Sequence, residues 1–374
     1  MKSSKYLKSP YLESVVLVIA IMISFLCLGV ISALSGQPPD GEMATPVISL
    51  IILTFFALST AIAIVATIAG IGGGVIFTPI MLAFTDINSL IVRGTGLIVA
   101  MFSGPISIGV FTKKRLVNYR LSLVMALSQS MGALAGATLA IAAADGTGDI
   151  GEGLLRLGLG LILLSLAVFF LLGGKKLEWP QVLRVDKFTK ALGLDGTCEE
   201  TEGTLRRYKV RHAPMGIGLL FIIGILGGFF GMGGGWAITP VLNMGMGLPL
   251  RAAAANSNVI LGISGGVSIW PYIFAGGVIP LFVLPWMAGQ VVGGFIGAHM
   301  LARIKVEIVR LILIGIMAFT SFALGIRGLE MIGAIELMPP IVQVIVFCAI
   351  MAGIFGVIIS RHKANMGKRG EPNE

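Results

Sequence analysis

The sequence predicts an all-α polytopic membrane protein built from two inverted-topology repeats, with helices broken at glycine-rich motifs. Three observations carry this reading. Hydrophobic residues fill 56% of the 374 positions and charged residues only 12%, against about 25% charged in an ordinary soluble domain; the mean hydropathy is +0.96. Apolar runs long enough to cross a bilayer recur along the whole chain. A ten-residue glycine motif occurs twice. A soluble enzyme of this size cannot hide so much apolar surface, because polar groups must coat it. The 52 glycines are about twice the usual share of roughly 7%, and membrane helices accept glycine better than soluble ones do.

Taken in order, Val15–Leu34 follows Lys2, Lys5 and Lys8. At about 20 residues it is too long for a signal-peptide core and reads as a retained first helix. Residues 1–45 are therefore a cytoplasmic segment, that helix and an outer loop. Spans at 46–69, 88–111, 119–144 and 153–172 make a first transmembrane repeat over 46–172. A cytoplasmic linker follows over 173–213, with room for a short amphipathic helix near Pro180–Leu192. Spans at 214–235, 251–273, 278–302 and 308–327 make a second repeat over 214–327. A last span at 338–360 and a basic tail complete 328–374. The pieces Val75–Phe84 and Trp236–Met244 are too short to span at about 1.5 Å per residue.

Charge alternates between loops. Lys113, Lys114, Arg115 and Arg120 cluster in one, Arg303, Lys305 and Arg310 in another, and the linker and tail are basic; loop 35–45 carries Asp40 and Glu42, and loop 145–152 carries Asp145, Asp149 and Glu152. Lys/Arg asymmetry sets orientation. The chain is thus expected to be multi-pass in the cell's inner (plasma) membrane with both termini cytoplasmic. The net charge of +9 then faces anionic lipid rather than nucleic acid. Cys27, Cys198 and Cys348 have no CxxC spacing, so no metal site and no cofactor are expected.

Gly70-Ile-Gly-Gly-Gly-Val-Ile-Phe-Thr-Pro79 returns as Gly231-Met-Gly-Gly-Gly-Trp-Ala-Ile-Thr-Pro240, an offset of 231 − 70 = 161. The same offset carries Ser103 to Ser264, Gln129 to Gln290, Gly132 to Gly293 and Gly136 to Gly297, which marks an internal duplication. The basic segment 113–116 meets the uncharged Phe-Ala-Gly-Gly of 274–277, so the halves enter the membrane from opposite sides. Inverted repeats of this kind place a transporter's substrate near the midplane, at broken helices.

Three glycines break a helix, and the Thr-Pro that follows disrupts the next. The exposed N–H groups of such a turn suit an anion. The candidate substrate site therefore takes Gly72, Gly73, Gly74, Thr78 and Pro79 with Gly233, Gly234, Gly235, Thr239 and Pro240. The two clusters are expected to face each other near the midplane. Neutral polar residues in the spans join them: Thr95, Ser103 and Gln129 in the first half, and Asn256, Ser257, Asn258, Ser264 and Gln290 in the second. No Asp or Glu falls inside an apolar core, so nothing there holds a cation through a carboxylate. Arg93 either attracts the anion or snorkels to the interface. The Gly132-x-x-x-Gly136 and Gly293-x-x-x-Gly297 pairs read as packing faces. With no HExxH, GxSxG or paired intramembrane aspartates, the chain is not expected to be an enzyme.

The GIGGGVIFTP and GMGGGWAITP pair, with KKRLVNYR, GALAGATLA and AGGVIPLFVLPWMAGQVVGGFIGAHMLARI, resembles the sulfite exporter TauE/SafE family over most of 46–310. The resemblance implies a permease for sulfite, sulfonates or other small organic anions. Where that family often shows a Thr-Ser-Leu-like stretch, this chain has Thr95-Gly96-Leu97 and Asn256-Ser257-Asn258. An exporter of such anions working by alternating access is the leading expectation. A passive anion channel, or an importer of a related organic anion, is the alternative.

Overall fold

The computed structural model describes residues 45–69, 71–85, 87–113, 115–172, 185–201, 204–300 and 306–335. The expected spans 15–34 and 338–360 and both termini lie outside them. Within them the chain is almost wholly helical. Helix α1 is Thr45–Ala69, α2 Gly74–Phe84, α3 Ser89–Ser103, α4 Pro105–Lys113 and α5 Tyr119–Leu172. A small unit follows: α6 Lys187–Leu192, β1 Gly196–Thr201 and β2 Thr204–Tyr208. Then come α7 Ala213–Phe230, α8 Gly235–Pro240, a π turn Val241–Gly245, α9 Leu250–Phe274, α10 Pro280–Met300 and α11 Val306–Met331. Six segments of the described residues are long and apolar enough to cross a membrane. Of these, α9 is the most enclosed and the segment in α1 the least. Outward-facing Leu123, Leu127 and Met131, spaced by one helical turn, form an apolar stripe that hydrocarbon solvates and water does not.

Two expectations about element boundaries are corrected. The run 88–111 is not one helix: it divides at Gly104-Pro105, where the proline nitrogen cannot donate the next helical bond, although Gly104 itself keeps helical angles. Gly104 also lies so close to the Asn258 carbonyl on α9 that a Cβ would collide with it. In the second half Gly265 is followed by Gly266, not proline, and α9 runs unbroken. The acidic stretch 145–152 is not an open loop either. It is helical within α5 except at Gly148, whose φ of 53° and ψ of −149° break the helix between its two spanning halves.

The two halves are interlocked by close helix contacts. α1 packs against α10, and the first half of α5 against α7. Both seams use glycine to bring a backbone against a carbonyl. Gly132 meets the carbonyl of Phe221 and Gly293 that of Thr60; Gly136 meets Ile225 and Gly297 meets Ile64. Each contact becomes the other by adding 161 to one partner and subtracting it from the other. An approximate two-fold relation between segments exchanges contacts in this way. The Ser321 hydroxyl donates to the Gly160 carbonyl at 2.8 Å, two positions themselves 161 apart.

The linker is more than a solvated tether. Its hairpin pairs Gly196 with Tyr208 and Cys198 with Arg206, and Leu194, Cys198, Tyr208 and Val210 are buried in the main apolar core. Burial pushes the Tyr208 phenol up to about 12. Asn118 donates from its side chain to the Leu194 carbonyl at 2.8 Å, and its backbone N–H donates to Asn256 Oδ1 at 2.9 Å. Asp186 caps α6: its Oδ2 accepts from Thr189 N–H at 3.0 Å, and its Oδ1 accepts from the Thr189 hydroxyl and from His212 N–H. Hydrogen bonds led by the Thr189 hydroxyl lower its pKa from 3.8 to about 2.

Because that pKa is depressed on folding, Asp186 stabilises the unit above its unfolded pKa, and the contribution disappears as pH falls toward 2. Hydrogen exchange should show amides 187–192 and 212–213 well protected at pH 7, with protection declining below pH about 4. Asp186→Asn should exchange faster already at pH 7 and lose that acid dependence. Equal protection in variant and wild type at pH 7 would contradict the capping role.

Candidate functional site

Both glycine motifs lie where a spanning helix ends and a short one begins. α1 gives way to α2 through Ile71–Gly73, and α7 to α8 through Gly231–Gly234. Gly72 and Gly233, equivalent by the 161 offset, take φ values of 76° and 68°, a region that a Cβ disfavours. Ile76 and Phe77 donate their N–H groups to the Gly73 carbonyl, and Ala237 and Ile238 donate theirs to that of Gly234. The N–H groups of Gly74, Val75, Gly235 and Trp236 therefore precede the first helical bond of each short helix. The turns press on one another. A Cβ on Gly74 would stand 2.9 Å from the Met232 carbonyl oxygen, and one on Gly235 still nearer the Ile71 carbonyl oxygen.

Each turn is met by a glutamine from the other half. A Cβ on Gly73 would lie 2.5 Å from Gln290 Oε1 and 2.8 Å from its Nε2. A Cβ on Gly234 would be closer still to Gln129 Nε2. Gln290 is fastened by Nε2, which donates to the Ser59 carbonyl at 3.3 Å and hydroxyl at 3.1 Å. Ser59 in turn donates to the Trp286 carbonyl at 2.6 Å. Trp286 packs edge-on against Phe77 of α2, with centroids 4.5 Å apart, which holds the first turn of α2 beneath Gln290. Both glutamines are at most 1% exposed, and both Oε1 atoms lack a hydrogen-bond partner among the described residues. A buried amide oxygen left unpaired costs about 1–3 kcal/mol. Two at equivalent positions, each beside a glycine turn, point to a ligand that completes them.

The other predicted residues divide by what they already bind. The Thr78 hydroxyl donates to the Gly231 carbonyl at 2.8 Å and so ties the two turns together. Thr239 and Ser257 are buried. Asn256 is fully engaged within the protein. Its Oδ1 accepts from Asn118 N–H and the Ser122 hydroxyl, and its Nδ2 donates to the Leu116 and Ala252 carbonyls. The Ser264 hydroxyl donates back along its own helix to Leu261. Thr95 Oγ1 and Asn258 Oδ1 are buried without a partner among the described residues. The Ser103 side chain lies outside the described ones. Pro79 sits inside α2 without ending it, whereas Pro240 ends α8 and leads into the π turn, with Met246 N–H bonding the Val241 carbonyl.

Arg93 does not snorkel: it is 1% exposed. Its Nε donates to the Ser89 carbonyl at 3.2 Å, its Nη2 to the Ser89 hydroxyl at 3.1 Å, and its Nη1 to the Phe229 carbonyl at 3.4 Å. Its Cα and Cβ lie against Gly231, at the start of the second turn. The expectation of no carboxylate within a span is corrected by Glu152. It lies in the candidate span Ile150–Val168, accepts from the Ser89 hydroxyl and pairs with buried Arg156 at 3.2 Å. Arg156 was readable, since a cation inside the apolar run 153–172 is a site signal in a membrane protein; Ser89 and Ser59 carried none.

The model of the sulfite exporter TauE/SafE family matches residues 53–324, which include both turns and both glutamines. The chain is also 26% identical over 261 residues to a Bacillus subtilis (strain 168) protein described as "Probable membrane transporter protein YunE", covering 67% of this chain and 90% of that protein. No solved structure matches.

The glycines separate into two kinds by what a methyl would strike. Gly73→Ala and Gly234→Ala push on the ends of glutamine side chains, which can swing aside. Both variants should reach the membrane at wild-type levels and lose transport by about tenfold or more. Gly235→Ala strikes a backbone carbonyl and should lose stability by about 1–3 kcal/mol, visible as a lower melting temperature in detergent. Full transport by Gly73→Ala and Gly234→Ala would remove the turns from the site.

Proposed function

The chain belongs to the sulfite exporter TauE/SafE family, a family of membrane transporters rather than enzymes, and we propose that it exports a small sulfur-containing or organic anion such as sulfite or a sulfonate. The observation that carries this reading is the crossed arrangement of Gly73 with Gln290 and Gly234 with Gln129. Turn N–H groups favour negative oxygen. The Gln290 N–H groups are committed to Ser59, so its unpaired oxygen accepts from a protonated oxygen, as in hydrogen sulfite, while the turn N–H groups meet the unprotonated ones. Thr95 and Asn258, whose buried oxygens are unpaired among the described residues, are candidates to extend the site. The halves are read as inverted repeats, 46–172 and 214–327, in the cell's inner membrane with both termini cytoplasmic.

Alternating access fits the packing better than a passive pore does. Both turns are buried, so no continuous aqueous path reaches them without movement. The short helices α2 and α8 begin at the glycine turns and are packed in the core, and a shift of these helices against the long seams α1–α10 and α5–α7 is the movement that opens a path.

An anion leaving a negative-inside cell moves down the potential. Each charge gains about 2.3 kcal/mol per 100 mV, so a dianion gains about 4.6, worth about a thousandfold in concentration. Glu152, the one carboxylate found within a candidate span among the described residues, is already paired with Arg156. Proteoliposomes with a potassium–valinomycin potential and neither a pH nor a sodium gradient should therefore release sulfite with saturable kinetics and counterflow. Gln129→Leu and Gln290→Leu should each slow that release about tenfold or more. Release that requires a proton or sodium gradient would replace the uniport, and non-saturating release without counterflow would replace the carrier with a channel.

A further inference from the structure

Arg93 poses a separate physical problem. It is a guanidinium buried in a membrane protein, and its hydrogen bonds go to neutral oxygens: the Ser89 carbonyl and hydroxyl and the Phe229 carbonyl. A buried charge without a counter-ion costs several kcal/mol even after relaxation, and such a residue in a membrane segment marks a site by default. A carboxylate is one hydroxyl away. The Ser89 hydroxyl, which accepts from Arg93, donates to Glu152 Oε1, while Glu152 Oε2 pairs with Arg156. Arg156 itself is held by its Nε bond to the Leu82 carbonyl at the end of α2. The carboxylate of Glu152 is thus shared along a chain with a guanidinium at each end. On α11, Arg327 pairs with Glu330 at 3.3 Å.

We propose that Arg93, Ser89 and Arg156 form a second oxyanion site beside the glycine crossing, occupied here by the Glu152 carboxylate as an internal stand-in that the travelling anion displaces. The chemistry matches: a carboxylate and a sulfite or sulfonate both present two anionic oxygens to a hydroxyl and a guanidinium. The location matches too. The Cα and Cβ of Arg93 abut Gly231 at the second turn, so its guanidinium lies within one side chain's length of that turn. Glu152 lies one helical turn past the break at Gly148 and its side chain is 29% exposed, so it can withdraw without unpacking a core. Displacing it leaves Ser89 and Arg156 to the cargo, and its return expels the cargo by like-charge repulsion. The site takes the same cargo class as the proposed function and rests on that reading for its role in transport, but not for its existence.

Equilibrium binding of radiolabelled sulfite to the purified full chain in detergent tests it by stoichiometry. Glu152→Gln removes the competing charge at constant shape and, at sulfite concentrations too low to displace Glu152 in the wild type, should bind one more sulfite per chain than the wild type does. Adding Arg93→Gln to that variant should abolish the extra equivalent. If Glu152→Gln does not accumulate, Glu152→Asp serves: its shorter side chain cannot span Ser89 and Arg156, and it should show the extra equivalent at about tenfold higher sulfite. A stoichiometry equal to wild type in the variant that accumulates overturns the second site. A wild type that binds no sulfite while Glu152→Gln binds one would sink the crossing site and leave this one standing. A wild type that binds and transports sulfite with no extra equivalent in the variant would do the reverse.

Discussion

Two glycine turns pressed against each other's carbonyls set the terms for everything around them. Gly74 lies under the Met232 carbonyl and Gly235 under that of Ile71, and neither position has room for a Cβ. Backbone inside hydrocarbon is tolerated without helical bonds only where protein encloses it. The turns must therefore be wrapped on all sides, and the wrapping is what the long helices supply. α1 can lead into its turn only if α10 closes over it, and α7 only if α5 does. Each half thereby borrows a helix from the other, and the glycine-lined seams at Gly132, Gly136, Gly293 and Gly297 are what permit that approach.

The same enclosure sorts the polar groups into those that hold and those that wait. Asn256, Thr78 and Ser59 are spent on fixed carbonyls and amides. They tie the turn after α4 to α9, one glycine turn to the other, and α1 to α10. Gln129 and Gln290 keep an oxygen unpaired beside the turns. Interiors this dense respond to a ligand by switching between arrangements rather than by gradual deformation, so an unpaired group beside a short, interrupted helix is where binding can bias the fold. The linker unit enters this network through Asn118, which contacts both Leu194 and Asn256. That gives a segment outside the spans a rigid connection to the buried helix α9.

Much of this was legible in the residues. The all-helical membrane class followed from composition, and the pairing of Gln129 with Gln290 followed from the offset between the glycine motifs. That each glutamine faces the opposite half's glycine was not legible, because repeat arithmetic gives equivalence and not contact. Asn256 looked like a ligand because a buried asparagine in a span is rare; only the fold shows that four protein groups already satisfy it. Glu152 was read as part of an acidic loop with Asp145 and Asp149; the helix persists there because only Gly148 leaves helical geometry. The break at Gly104-Pro105 was hidden inside an apolar run that is long enough to span. The buried hairpin was missed because its sequence is polar on average, with Cys198 and Tyr208 too far apart in the chain to show a shared face.

The most direct measurement is a cryo-electron microscopy structure of the full chain in lipid nanodiscs with and without sulfite. Ligand density should appear between the two turns, within hydrogen-bond distance of the Gln129 and Gln290 amides and of turn N–H groups from both motifs, and be absent when sulfite is withheld. Density confined to another part of the protein, or glycine motifs that face lipid from opposite membrane surfaces, would contradict it.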